Sequence, residues 1–169
     1  SMKIEKFRPP VGHPLHILMD EHRALLEFSH KLMSIARVIQ DTEDQEVIQA
    51  ALSQLKPIIE EIQDSETHYY REEQIIYYKL KKKGIDLVEE IENEHSKITR
   101  LETQLKKLVN KYQPENHVNL AEELTTKLEQ LMYLYSDHFQ KENTIHFRTV
   151  WKEISDKAEW VKIRSQFDQ

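Results

Sequence analysis

Residues 117–149 read HVNLAEELTTKLEQLMYLYSDHFQKENTIHFRT, with Leu120, Leu124, Leu128, Leu131, Tyr135, His138, Glu142, Ile145 and Thr149 three or four places apart. That spacing is the period of an amphipathic helix, so these residues form one stripe that should face a core. The stripe begins in leucine and turns polar at His138 and Glu142 without losing phase. Four residues turn a helix by 400°, so the two polar side chains share one face.

The rest of the chain repeats the pattern. A second helix is expected from about residue 44 to 83, with Val47, Ile48, Ala51, Leu55, Ile58, Ile59 and Ile62, then His68, Glu72, Ile75, Ile76 and Leu80. Pro57 inside it predicts a kink or a brief break. Lys81-Lys82-Lys83 before Gly84 is a stop signal, with cations on the negative end of the helix dipole. A third helix carries Leu87, Val88, Ile91, His95, Ile98, Leu101, Leu105, Leu108 and Val109. The first starts at Pro14 and carries Leu15, Leu18, His22, Leu25, Ser29, Leu32, Ala36 and Ile39. A polar break at Ser155-Asp156 precedes a short last helix with Trp160 and Ile163. Long amphipathic segments joined by short turns make an all-α, up-down-up-down antiparallel four-helix bundle with a short C-terminal helix. It should occupy residues 14–169, after an extended lead-in at residues 1–13 that holds Pro9, Pro10 and Gly12.

Composition narrows the chemistry. With 169 residues the chain fits one domain, and two glycines and five prolines are too few turn formers for a many-stranded sheet. They also exclude glycine-rich phosphate loops. The absence of cysteine removes disulfides, zinc ribbons, iron–sulfur clusters and thiol catalysis. A net charge of −6 argues against nucleic acid as a partner. No apolar run approaches a membrane span and no signal peptide is read, so the expectation is a soluble, cytoplasmic protein. Nine histidines stand out, and with no cysteine they and the carboxylates are the strong metal donors on offer.

His68 with Glu72 and His138 with Glu142 lie on stripe positions, as does His95. A carboxylate buried unpaired among leucines costs several kcal/mol, and no Lys or Arg occupies the stripes at those levels. A divalent or trivalent cation gathering imidazoles and carboxylates is the economical partner. One such His-x-x-x-Glu spacing arises readily by chance on a surface helix; two in phase, with a third in-stripe histidine, do not. On the first helix, stripe phase favours His22. Axial counting from a turn centred near residue 42 favours His16, since His16 and His68 each lie 26 residues from it. His22 stands about 9 Å further along the axis, and both are retained as candidates. His13 reads as a cap or linker residue, His30 and His117 as exposed, and His146 as ligand, ligand support or surface alike.

The segments GHPLHILMDEHRAL, HYYREEQIIYYKLKKKGI, NEHSKI and HFQKENTIHF together resemble the hemerythrin-like, HHE cation-binding family, over most of residues 12–163. The GHPxH opening is similar to that of a prokaryotic subgroup. The resemblance implies a four-helix bundle with a non-heme pair of irons, oxo- or hydroxo- and carboxylate-bridged, with zinc or another divalent ion as a substitute. It implies Glu72 and Glu142 as bridges, His68 and His138 as their paired ligands, His95 on the second iron, and His16 or His22 on the first. Two departures stand out. Thr99 replaces the second histidine that oxygen carriers place on helix three, and His146 sits where an apolar residue is usual. The site would then have fewer nitrogen ligands than an oxygen carrier, or recruit His146 or Glu94. The implied function is binding or sensing of oxygen, or of a related diatomic or peroxide, in some relatives beside an attached sensor domain. An oxidase or peroxidase and a metal-stabilised partner-binding module are the alternatives.

Overall fold

The computed structural model describes residues 7–169; residues 1–6 of the expected lead-in at residues 1–13 lie outside them. α1 runs Pro14–Gln40 and is capped by His13, whose Nδ1 accepts from the Leu15 amide at 3.1 Å. The second rod is α2 (Gln45–Gln63), α3 (Glu66–Tyr70), a π-helical turn (Arg71–Ile76) and α4 (Tyr77–Lys82). α5 (Val88–Asn110) is the third. The fourth joins α6 (His117–Lys141), a second π-helical turn (Glu142–His146) and α7 (Phe147–Glu153). α8 (Lys157–Phe167) folds back onto α1 and the first π turn. Each long rod packs on two others, α1 on α6 and α2, and α5 on the same pair, closing an all-α antiparallel bundle.

Pro57 does not interrupt α2, which continues through it. The break falls at Asp64–Ser65, where Ser65 donates its hydroxyl to the Ile62 carbonyl. The stop after Lys83 is as expected: Gly84 takes φ +93°, its amide bonds Lys81 O at 3.0 Å, and the Ile85 amide bonds Leu80 O at 3.2 Å.

The core has two apolar parts. One joins Leu25, Leu32 and Ile39 to Leu55, Ile62, Leu105, Leu128 and Leu131; the other joins Leu15 and Leu18 to Ile76, Leu80, Ile91, Phe147, Val150 and Ile163. On α1 the boundary is His22, between Leu18 and Leu25, and it is 1% exposed. A polar layer therefore lies inside the bundle, with apolar walls above and below it.

Candidate metal centre

The two π turns place the acids. Each closes on the carbonyl of a glutamate: the Tyr77 amide bonds Glu72 O, and the Phe147 amide bonds Glu142 O, one residue wider than an α turn. Both carboxylates are fully buried, at 0% exposure. π turns are rare and gather at functional sites. The extra residue also rotates everything after it. On the fourth rod Ile145, expected in the apolar wall, is 58% exposed, while His146, Phe147 and Val150 turn inward.

Four imidazoles meet these acids. His22 Nε2 lies 3.2 Å from Glu72 Oε1 and 3.3 Å from Glu142 Oε1. His68 Nε2 touches Glu72 Oε1, and His138 Nε2 lies 2.7 Å from Glu142 Oε1. His95 Nε2 lies 3.1 Å from His138 Nε2 and 3.6 Å from Glu72 Oε2. The outward nitrogens fix the ring orientations. His22 Nδ1 donates to Asn143 Oδ1 at 2.8 Å, His68 Nδ1 to Glu21 Oε1 at 3.1 Å, and His138 Nδ1 to Glu94 Oε2 at 2.7 Å. Glu73 Oε2 stands 3.3 Å from His95 Nδ1 as a charge contact. Since an acceptor oxygen outside demands an N–H there, the lone pairs of His22, His68 and His138 are left on the inward Nε2.

Such a set suits a cation. Among the described residues His68 Nε2, Glu72 Oε2, Glu142 Oε1 and His95 Nδ1 are buried without a hydrogen-bond partner. Two nitrogens 3.1 Å apart suit one metal ion, because donors at bond lengths of about 2.1 Å and near-tetrahedral or right angles stand about 3.0–3.4 Å from each other. Without metal, protons take its place. Burial alone would depress His22 and His95, but contacts with Glu142 and Glu72 for the former, and Glu72 and Glu73 for the latter, carry both up to about 10. Burial works to raise Glu72, yet His68 and the other neighbours hold it well below the usual carboxylate range. The donors fall into two overlapping groups, one of Glu72, His95, His138 and Glu142 and one of His22, His68 and Glu72.

Six of the seven residues singled out from the sequence thus come together, and His16 does not. It is 28% exposed, bonded to Pro9 O at 3.2 Å and paired with Asp20 at 3.0 Å. Axial counting misplaced it because the second rod is not one regular helix: the break at Asp64–Ser65 and the π turn change its residues per unit length. His146 is buried but stays out of the cluster, 6.1 Å from the Tyr77 ring, and burial lowers its pKa. Glu94 supports His138 rather than facing the centre. Sequence reasoning missed Glu21, Glu73 and Asn143 as supports, and their signal was adjacency, since each directly precedes or follows a ligand candidate. Tyr77, one of several tyrosines whose positions in the sequence suggest hydroxyl donors to the ligands, donates to Glu142 Oε2 at 2.6 Å.

A family model, the hemerythrin HHE cation binding domain, matches residues 13–150. The chain belongs to this family. Among curated proteins no match was found. As a member of the HHE family the chain is a metal-binding helical protein, and its buried His/Glu layer is where the donors for a cation converge. Among the described residues no helix is long and apolar enough to cross a membrane.

Proposed function

We propose that His22, His68, Glu72, His95, His138 and Glu142 hold two iron ions, and that the chain binds or senses dioxygen or a related small oxidant. The observation carrying this reading is that four imidazoles and two carboxylates converge in two groups sharing Glu72. Bound as Fe(II), such a pair supplies electrons to a small oxidant. The protein residues do the rest. Glu72 turns Oε1 toward His22 and His68 and Oε2 toward His95, so it spans both groups. Tyr77 fixes Glu142 by its outer oxygen. Phe139 stacks on His22 at 4.1 Å and, with Phe147, Leu18 and Ile76, keeps water from the layer.

The layer meets a surface groove at His95. The groove, of about 890 Å³ between the second rod and α5, is lined by Tyr69, Glu73, His95, Thr99 and Arg100. Chain purified without oxygen and loaded with Fe(II) should gain a visible absorption band on aeration and lose it on evacuation. Steady oxidant consumption with an added reductant would move the reading to an oxidase or peroxidase. A two-iron chain inert to oxygen, nitric oxide and peroxide would contradict oxidant binding and leave a structural cation.

A further inference from the structure

The centre is assembled from two halves of like construction. Glu21-His22 on α1 works with His68, Arg71, Glu72 and Glu73; Glu94-His95 on α5 works with His138, Lys141, Glu142 and Asn143, at identical spacings. In the first half Glu21 takes the His68 N–H and lies 3.5 Å from Arg71 Nη1. In the second, Glu94 takes the His138 N–H and pairs with Lys141. The supports of the remaining histidines cross over between halves: Asn143 holds His22, and Glu73 faces His95.

The correspondence fails at two places. Where one half presents the carboxylate of Glu73, the other presents the neutral amide of Asn143. Where Tyr77 ties down Glu142 Oε2, Phe147 has no hydroxyl, and Glu72 Oε2 has no hydrogen-bond partner. A carboxylate behind an imidazole strengthens it as a donor and adds negative charge near the cation; an amide does less of both. His95 and His138 both have carboxylates behind them, whereas His22 has an amide. Glu142 Oε1 also lies nearer His138, at 2.7 Å, than His22, at 3.3 Å. The group that holds His95 and His138 has four donors in all, against three in the group that holds His22 and His68.

We propose that the His95–His138 position binds metal more tightly and fills first, and that Glu73 against Asn143 sets much of the difference. This rests on the dinuclear reading above. Titrating the metal-free chain with Zn(II), while following histidine ring nitrogens by NMR, tests it without any activity. The first equivalent should shift His95 and His138, and the second His22 and His68. Glu73→Gln should weaken the first step by about 10- to 100-fold, the usual effect of removing such a support. Asn143→Asp should tighten the second step and narrow the gap; it serves as the independent arm if Glu73→Gln disturbs folding. Reverse or simultaneous filling, or a gap unmoved by both variants, would overturn the inference while two-ion saturation left the dinuclear reading standing. Saturation at a single zinc, in a chain that also holds a single iron, would overturn both.

Discussion

The Tyr77 hydroxyl shows how closely individual atoms are committed to this site. It is fully buried, and Glu142 Oε2 is its acceptor. Tyr77→Phe should therefore lower metal affinity about tenfold, read by competition with a chelator, because the carboxylate loses its orienting donor. Glu102 is a second committed atom group, away from the ligands: Tyr69 and Tyr135 both donate to its Oε1, at 3.1 and 2.8 Å, and burial still pushes it up to about 7. Much of this residue-level chemistry was readable. His68, Glu72, His95, His138 and Glu142 announced themselves by standing on apolar stripes, and His22 by stripe phase. Glu102 did not, since a lone acid on a charged helix looks solvated until two buried tyrosines are seen against it.

At the scale of elements, the π turns decide which faces meet. The uniform period of 3.6 read from the sequence places Ile145 and Thr149 inward, whereas the added residue presents His146, Phe147 and Val150. A wide turn leaves no compositional mark comparable to proline or glycine, which is why the phase slip was illegible while the helices themselves were plain. Deleting Thr144 would remove the added residue, so a regular α turn would carry Phe147 and Val150, both at 0% exposure, to the same faces. The variant should keep most of its stability by denaturant unfolding, while Glu142, no longer held by the wide turn, binds metal more weakly in competition with a chelator. A loss of several kcal/mol of stability would show that the wide turn itself holds the core. Pro57 teaches the converse lesson: an expected break site lies within a continuous helix, and the break occurs at Asp64–Ser65.

Across the whole molecule, a charged layer separates two apolar cores, so stability and metal loading must be linked. The metal-free chain gains from the raised His22 and His95 only while they are protonated. That contribution is complete below about 6.5, the unfolded value, and is lost as pH rises toward about 10. Glu102 acts in the same direction, losing stability as pH rises from the ordinary carboxylate range through about 7. Melting temperature of the metal-free chain should accordingly fall between pH 6 and pH 9. Metal affinity should rise over the same interval, because cations displace those protons. A metal-free chain that grows more stable from pH 6 to 9 would contradict this linkage. The most direct measurement is the iron content of anaerobically loaded chain and of its histidine variants. The proposed dinuclear centre predicts two irons per chain, retained in His16→Ala and reduced in His22→Ala and His138→Ala; less than one iron per chain, or full iron content in both His22→Ala and His138→Ala, would contradict a centre built from these residues.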